Sequence, residues 1–500
     1  MSPRGLPAPQ LWLLAAFCLL VAWVCFSGLG SAGLLGPDEP RYAFIGRAMA
    51  RSGDWLTPRL WGEPWFEKPP LTYWLAAAAF RLGLSEDLAP RVPVAALSVL
   101  FLALQWILLR RMLDARIAWL ATLLNASTAA WIAYSMVGVT DLPLAVFFHL
   151  AVLLAWLETT SPAPPQRYAA AACLAAATLA KGLVPIVLFL PMLWFLRKQW
   201  RAWAGPFLLF LLLAAPWYAA MTVVHGRPFL DEFFLRHHFS RFSSEELQHV
   251  QPFWFYAPVL AGGLFPWIPA LLALRPALRK DLRLRIPLAV FLFGFLFFSI
   301  SRNKLPGYLL PLWPSFCILA GAGLAASAAA GRPLFWTVML AGLCQALATL
   351  LPEALLYGIT RASVGGVAWE YFAALLPLAL AAWWLDSRGR RLTAAALAAV
   401  VALAGFWFVR VSAAPVLDQV VSARGLWRRI ESRKNEVCID RLHRAWRYGL
   451  AYYAGAPLPD CSSRPLPLRI DQEPDALPKI LPNPGATLAP LPGAAASTGQ

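Results

Sequence analysis

The sequence predicts an all-α polytopic membrane protein with a small α/β domain at its C-terminal end. Of the 500 residues, 59% are apolar and 14% are charged, and the mean hydropathy is +0.59. A soluble domain is about 45–50% apolar and about 25% charged. The 24 Trp and 43 Pro support the same class, because Trp gathers at membrane interfaces and Pro is tolerated in membrane helices.

Thirteen apolar stretches are candidates for membrane-spanning helices, which take roughly 17–25 residues each. They lie near residues 11–30, 89–109, 117–135, 141–158, 167–181, 183–197, 203–223, 253–274, 286–301, 306–326, 333–352, 368–385 and 392–411. The first stretch is long for a signal peptide and lacks a convincing A-x-A cleavage site, so we interpret it as an uncleaved helix.

The distribution of Lys and Arg predicts the orientation. The short links on the same face of the membrane as the N-terminus are rich in Lys and Arg. The short links on the opposite face carry only four such residues, Lys181, Arg302, Lys304 and Arg361. Positive residues favour the cytoplasm, so the N-terminus lies inside and thirteen crossings put the C-terminal tail outside. The net charge of +17 fits inner loops facing anionic lipid. No nucleic-acid motif accompanies it, so we expect no nucleic-acid partner.

Two long polar segments, residues 31–88 and 224–252, fall on the outer side. Within the first, we predict an amphipathic interfacial helix over 39–51, capped by Asp38. Its apolar positions include Ala43, Ile45, Ala48 and Met49. A second short helix is predicted over 69–83, because two prolines stand at its start.

The tail, residues 412–500, differs in composition from the membrane domain, residues 1–411. We predict a helix, a strand and a second helix at 416–433, Glu436–Asp440 and 443–454. Residues 462–500 are rich in Pro, Ala and Ser, so we expect disorder at the end. Outside the cytoplasm, Cys438 and Cys461 are expected to form a disulfide.

Residues 36–74 carry the densest mixture of charged and aromatic side chains beside a membrane span. Such a segment lies at the level of lipid head groups. We interpret it as the roof of an active site for a lipid-linked substrate.

Acidic residues stand at the outer ends of two spans. Asp38 and Glu39 directly follow the first span, and Asp141 opens the fourth. Carboxylates at these positions can accept a proton, hold a metal or orient a sugar. The alternative for Asp38 and Asp141 is helix capping.

Basic and histidine residues fall on the same side. Lys181 and Lys304 stand alone between apolar runs, Tyr308 follows Lys304, and Glu67 and Lys68 are adjacent. The alternative for Lys181 is snorkelling to the interface. The second outer segment holds His237, His238, His249 and Arg241. Its histidines suit metal binding or acid/base chemistry, and the alternative is an exposed loop helix.

These groups suit a lipid that carries a phosphate. Cations hold the phosphate, and carboxylates handle a proton or a metal.

The chain resembles a known family in five segments. The 36–74 segment, GPDEPRYAFIGRAMARSGDWLTPRLWGEPWFEKPPLTYW, resembles the first outer loop of the bacterial lipid A aminoarabinose transferases. These belong with the protein O-mannosyltransferases among GT-C membrane glycosyltransferases. The later segments agree in order: VTD at 139–141, AKG at 180–182, HHFSRF followed by QHVQPFWFY at 237–256, and KLPGYLLP at 304–311.

The resemblance implies a GT-C fold with thirteen membrane helices, a periplasmic domain and a location in the bacterial inner membrane. It implies an undecaprenyl-phosphate sugar as donor and lipid A or a related periplasmic molecule as acceptor. By the same resemblance, Asp38 and Asp141 are the essential acids, and Glu67 and His238 hold a divalent metal, zinc in the aminoarabinose enzymes. The residues that line the donor phosphate are Lys68, Lys181, Arg241, Lys304 and Tyr308. We also place Glu39, Arg41 and Tyr42 among the substrate contacts.

Three hypotheses follow. The first is an inverting glycosyltransferase that moves a sugar, with 4-amino-4-deoxy-L-arabinose as the leading example, from undecaprenyl phosphate to lipid A. Within that class, the acceptor is alternatively another glycan or a protein. The second is a transporter of lipid-linked sugars, which should show repeats and broken helices near the midplane. The third is a membrane scaffold without chemistry, which would not need Asp38, Asp141 and Lys181 together.

Overall fold

The protein is mostly helical. A computed structural model describes residues 8–240, 250–274, 281–328, 330–350, 367–473, 476–484 and 486, and for residues 8–9 and 237–240 it gives the backbone alone. The α-helices are α1 Ala8–Phe26, α2 Asp38–Ser52, α3 Leu71–Arg81, α4 Val92–Met112, α5 Ala115–Ala126, α6 Ala129–Tyr134, α7 Asp141–Thr160, α8 Pro164–Lys181, α9 Val184–Leu188, α10 Leu190–Leu196, α11 Ala204–His225, α12 Arg227–Leu230, α13 Tyr256–Leu264, α14 Arg285–Ile300, α15 Trp313–Ala326, α16 Gly331–Ala348, α17 Trp369–Ala374, α18 Leu376–Ser387, α19 Arg391–Val420, α20 Ala423–Ile430 and α21 Arg444–Ala454. The strands are β1 Arg59–Leu60, β2 Glu63–Pro64, β3 Val437–Ile439, β4 Leu468–Asp471 and β5 Lys479–Pro482.

The helices form a multi-pass membrane domain. Among the described residues, six helical segments are long and apolar enough to cross a bilayer: Val92–Met112, Asp141–Thr160, Leu190–His225, Leu282–Ile300, Pro306–Ala326 and Arg391–Val420. Where the structure describes them, the thirteen predicted apolar stretches overlap helices, and the count of thirteen crossings stays a prediction.

The last long helix, α19, runs past the predicted end of the membrane domain. It has 30 residues, about 45 Å of helix, whereas the hydrocarbon core of a bilayer is about 30 Å thick. The domain boundary predicted at 411 falls inside this helix. The tail domain therefore begins after Val420.

One predicted span is divided by polar side chains. The stretch at 117–135 breaks into α5 and α6 at Ser127 and Thr128, whose hydroxyls donate to carbonyls of the preceding turn. The same hydroxyls accept the indole N–H groups of Trp267 and Trp313. Polar groups buried in a membrane domain need such internal partners.

A buried ion pair joins the start of α2 to the start of α4. Arg91 donates to both carboxylate oxygens of Glu39, at 2.7 and 2.8 Å. Its remaining N–H groups donate to the carbonyls of Leu29, Ala32 and Gly33 at 2.6–2.9 Å. All five guanidinium donors are therefore used, and the segment between α1 and α2 wraps around this side chain.

The same carboxylate holds two backbone N–H groups. Glu39 accepts from Leu35 at 2.7 Å and from Gly138 at 2.8 Å. Gly138 lies three residues before Asp141, and Asp38 precedes Glu39. The ion pair therefore fixes the two chain segments that carry the predicted catalytic acids. Glu39 is fully buried and its carboxylate is held by these protein groups, so it acts here as a structural residue, and its predicted contact with the substrate stays a prediction.

The first outer segment contains the two predicted helices. The helix predicted over 39–51 is α2, and the one over 69–83 is α3. Asp38 is not a cap, since it is the first helical residue and the preceding Pro37 makes no side-chain cap. At the other end, Gly53 adopts a left-handed conformation with φ 74° and donates to the Met49 carbonyl. The predicted apolar face packs against α3 and α21.

The tail is a small α/β domain. Its sheet has the order β3–β4–β5, with β3 and β4 parallel and β4 and β5 antiparallel. The strand predicted at Glu436–Asp440 is β3, and the helix predicted at 443–454 is α21. β4 and β5 lie within the Pro-rich segment after 462 and were not predicted. The disorder predicted at the end falls on residues 487–500, which lie outside the described ranges. The predicted disulfide between Cys438 and Cys461 is confirmed.

Charged and phenolic groups dock the tail onto the first outer segment. Arg424 binds Asp87 at 2.5 Å and Asp418 at 2.8 Å. The Tyr453 hydroxyl donates to Asp87 at 2.7 Å and accepts from the Leu34 N–H at 2.9 Å. The tail is therefore held against the residues that flank α2 and α3, Leu34 and Asp87.

We predict that Glu39→Gln destabilises the whole membrane domain. The change leaves Arg91 as a buried charge without its counter-ion, which costs about 3–5 kcal/mol. The temperature at which the detergent-solubilised protein loses its monodisperse peak in size exclusion should fall by several degrees. Glu63→Gln, a change at an exposed carboxylate on β2, is the matched control and should leave that temperature unchanged. Equal temperatures for the two variants would contradict the structural role of Glu39.

Candidate active site

A row of alternating charges runs from α2 to the loop before α3. Arg41 contacts Asp38 at 2.6 Å and Glu67 at 3.0 Å, and the other oxygen of Glu67 lies 3.1 Å from the Lys68 ammonium. Asp38 and Arg41 are one turn apart on α2, so the helix itself brings them together. Asp38 is half exposed, whereas Arg41, Glu67 and Lys68 are nearly buried.

Aromatic rings enclose the Arg41 guanidinium. Its central carbon lies 5.3–5.4 Å from the ring centres of Tyr42, Trp65 and Tyr448. Tyr448 belongs to the tail helix α21 and also packs on Trp61 at 5.5 Å. Trp61 is at the tip of the β1–β2 hairpin with φ 57°, as a tight two-residue hairpin requires. The tail therefore completes the wall of the site.

The phenols beneath this row are neutral. Burial raises the pKa of Tyr42 and of Tyr73 well above the usual value, and the charges of Asp38 and Glu67 act in the same direction. The two rings pack edge to face at 5.7 Å. Among the described residues, three buried donors here have no protein acceptor: Arg41 Nε, Trp65 Nε1 and the Tyr73 hydroxyl. Buried donors without partners are rare in folded proteins, which suits a ligand-binding site.

A second ion pair lies at the outer ends of α7 and α8. The Lys181 ammonium donates to Asp141 at 2.7 Å, and both side chains are largely buried. The same ammonium lies 5.0 Å from the ring centre of Tyr308. The structure thus brings together three of the predicted site residues from separate parts of the chain.

Gly307 permits the close approach of a third element. A Cβ atom at this position would lie 2.5 Å from Asp141 Oδ1 and 2.6 Å from the Tyr134 hydroxyl. Real Cβ contacts are not this short, so any larger residue would displace one of these groups. Gly307 is therefore required for the packing of the 306–312 turn against Asp141.

Tyr134 joins the two groups of charges. The carboxylates of both Asp141 and Asp38 act electrostatically on its hydroxyl. Its ring also packs against the apolar cluster that contains Tyr42 and Tyr73. Asp38, Asp141, Lys181 and the Arg41 row therefore belong to one site, with Tyr134 between them.

An apolar cavity of about 290 Å³ opens beside Tyr134. Its other walls are Ala129, Ala130, Val259, Gly263, Pro306, Leu309, Leu310 and Trp313. The cavity lies on the membrane side of the charged groups, because α6, α13 and the 306–312 turn belong to predicted spans.

Lys304 is placed differently from the other predicted cations. Its buried ammonium donates to the carbonyls of Gln251, at 2.9 Å, and Ser301. The neighbouring Asn303 pairs with Val250 as an isolated β-bridge. Lys304 therefore connects the links at 250–251 and 301–303, and its contact with the donor phosphate stays a prediction.

The predicted metal site is only partly described. The side chain of His238 and all of Arg241 lie outside the described residues. The two oxygens of Glu67 face Arg41 and Lys68, two cations that disfavour a divalent metal there. Over the ranges that the structure covers, no group of three or more His, Cys, Asp or Glu side chains could hold a metal. Because the His238 side chain lies outside the described residues, a zinc site at Glu67 and His238 stays a prediction.

Three important residues were not identified from the sequence. In the sequence, Arg91 cannot be distinguished from other charged residues that flank an apolar stretch. Tyr134 likewise cannot be distinguished from other aromatic residues at a membrane interface. Gly307 lies within the KLPGYLLP segment, so a glycine next to a predicted site residue was the available signal.

Known proteins similar to this chain share one class of activity in their names. The dolichyl-phosphate-mannose-protein mannosyltransferase profile matches residues 67–224. An undecaprenyl phosphate-α-4-amino-4-deoxy-L-arabinose arabinosyl transferase from Pseudomonas paraeruginosa is 34% identical over 343 residues, which is 63% of this chain and 60% of that protein. The crystal structure of ArnT from Cupriavidus metallidurans bound to undecaprenyl phosphate superposes with a TM-score of 0.75 at 25% identity, over 91% of this chain and 86% of that one. The chain is similar in sequence to the aminoarabinose transferases and shares its fold with the ArnT structure.

This similarity to the aminoarabinose transferases confirms the resemblance seen in the sequence. The matched part of the chain spans about three-fifths of the length of the curated relatives. The ArnT structure covers the tail as well as the membrane domain, since its match extends over 91% of this chain.

We predict that Arg41→Gln loosens the contact between α2 and the tail helix α21. The variant loses two ion pairs and the cationic partner of three rings, including Tyr448. Amide hydrogen exchange in 444–454 should become at least tenfold faster. Arg51→Gln, which changes an exposed arginine in the last turn of the same helix, should leave exchange unchanged. Unchanged exchange in the Arg41 variant would show that the tail docks without this arginine.

Proposed function

We propose that this protein is an inverting glycosyltransferase that moves 4-amino-4-deoxy-L-arabinose from undecaprenyl phosphate to lipid A or a related acceptor. The observation that carries the proposal is the site around Tyr134. It combines two cations, Lys68 and Lys181, with the half-exposed Asp38, next to an apolar cavity. The names of the curated relatives and the undecaprenyl phosphate bound to the ArnT structure support this donor.

The proposed topology has thirteen membrane helices in the bacterial inner membrane, with the N-terminus in the cytoplasm. The site and the tail then face the periplasm. The excess of Lys and Arg in the opposite links supports this orientation. The Cys438–Cys461 disulfide supports it too, because disulfides persist in oxidising compartments such as the periplasm.

The cations stabilise the departing phosphate. As the bond between the anomeric carbon and the donor phosphate breaks, the electron pair and its negative charge move to the phosphate oxygen. Fixed ammonium groups stabilise that charge most in the transition state. Lys68 and Lys181 are each held beside a carboxylate, which keeps the two ammonium groups in place before the donor binds.

The acceptor attacks the anomeric carbon from the opposite face, so a single displacement inverts that carbon. A phosphate acceptor, as on lipid A, is already a nucleophile and needs no base. Asp38 then orients the incoming group, and with a hydroxyl acceptor it takes the proton. Asp38 suits this role because, among the described contacts, its carboxylate is engaged only by Arg41 and it is the most exposed acid of the row.

A second candidate function keeps the same donor class. The protein mannosyltransferase profile matches residues 67–224, which include Lys68, Asp141 and Lys181. These residues would serve any polyprenyl-phosphate sugar. The alternative is therefore transfer of another sugar to a glycan or a protein.

The first test removes each acid without changing its size. We expect Asp38→Asn and Asp141→Asn to reduce sugar transfer in membrane vesicles at least 100-fold, while the protein stays inserted and monodisperse. Asp231→Asn, at an exposed carboxylate near the end of α12, is the matched control and should retain activity. Full activity in both site variants would refute the assignment of these acids.

A second test uses paired glycine substitutions. Gly307→Ala forces Asp141 or Tyr134 to move, so transfer should fall at least tenfold with little loss of stability. Gly262→Ala adds the same methyl group where nothing lies within 4 Å and should be neutral. Equal transfer rates in the two alanine variants would rule out a requirement for the close approach at Asp141.

A further inference from the structure

We propose that Arg410 binds the phosphate of a membrane lipid in a crevice between α1 and α19, apart from the active site. Ionisable residues within membrane spans are rare and usually have a function. Arg410 lies in the span formed by α19 and has no role in the proposed transfer reaction.

The contacts of Arg410 leave one edge of its guanidinium open. Nη1 donates to the carbonyls of Val24 and Cys25, at 3.0 and 3.4 Å, and to the Met136 sulfur at 2.9 Å. These carbonyls belong to the last turn of α1, where no helical donor remains for them. Within the part of the chain that the structure describes, Nε and Nη2 have no protein acceptor.

The open edge has the geometry that phosphate requires. Nε–H and Nη2–H are parallel donors, and such a fork binds two phosphate oxygens at once. Gly28, which has no side chain, is the residue next to this edge, since a Cβ atom added there would lie 3.8 Å from Nη2. The Arg410 side chain is partly exposed, so a ligand can reach this edge.

Arg410 also lacks a counter-ion. The ionisable protein groups that act on it are Arg91, which repels it, and the Cys25 thiol. The carboxylate of Glu39 is already paired with Arg91. Of the two arginines, Arg91 thus has a counter-ion and Arg410 has none among the described residues, so an anionic ligand would balance the charge of Arg410.

The depth of Arg410 matches a lipid head group. It follows Arg391, the first residue of α19, by 19 positions, or about 28 Å of helix, close to the roughly 30 Å hydrocarbon thickness. With the orientation proposed above, it reaches the outer boundary of the membrane. The exposed indoles of Trp23 on α1 and Trp407, one turn before Arg410, lie at the same level, as expected for an interfacial belt.

The site touches both segments that carry the catalytic acids. Arg410 holds the end of α1, which leads into the loop around Arg91, and it contacts Met136 in the link before Asp141. A bound lipid phosphate would fix the position of Arg410 between these two segments. We therefore assign the site to a bound phospholipid that supports the fold from the membrane side.

Native mass spectrometry of the full chain in detergent tests the proposal with phosphatidylglycerol as the probe. The tightest binding event should weaken at least fivefold in Arg410→Gln. Arg410→Lys keeps the charge and loses the two parallel N–H donors, so binding should weaken to an intermediate extent. This variant serves as the test if the Gln variant does not fold. Diacylglycerol, which has no phosphate, should not occupy the site.

Arg388→Gln is the matched control. Arg388 is exposed at the opposite end of the membrane domain and lies over the Trp384 ring at 5.2 Å, so its loss should not change the tightest event. Equal phosphatidylglycerol binding by the wild type and both Arg410 variants would overturn the proposal. An equal loss of phosphatidylglycerol binding in the Arg388 variant would also overturn the proposal. Displacement of the lipid by millimolar glycerol phosphate would overturn the lipid as the source of the phosphate.

Discussion

The buried pair of Glu39 and Arg91 is the interaction on which the site depends. Removing two charges from water is unfavourable unless every donor and acceptor is satisfied. Here all five guanidinium donors and both carboxylate oxygens have partners. Because those partners include the loop before α2 and the link before α7, one interaction sets the distance between the segments of Asp38 and Asp141.

In the site that this pair holds in place, the charged side chains form ion pairs with one another. Arg41 is shared by Asp38 and Glu67, and Lys181 is paired with Asp141. An arriving phosphate can share Lys181 without a large rearrangement, because the ammonium is already fixed. The tail helix α21 closes this arrangement through Tyr448, so the domain after the last span is part of the site wall.

Much of this could be predicted from the sequence, and the failures have physical causes. Topology alone placed Asp38, Asp141 and Lys181 on one face, and the structure brings Asp141 and Lys181 to 2.7 Å. The structural role of Glu39 was missed because adjacent helical residues point about 100° apart, and a sequence does not show which one faces the core. Strands β4 and β5 were missed because their Pro-rich segment has little apolar periodicity, and their pairing depends on contacts far along the chain.

The central claim is that this site transfers an aminopentose from a lipid-linked donor. Mass spectrometry of lipid A from cells with the gene, without it, and with the Asp141→Asn variant tests this most directly. We predict a mass increase of one aminopentose residue with the intact gene only. Identical lipid A in all three strains, with the protein present in the membrane, would contradict the proposed donor and acceptor.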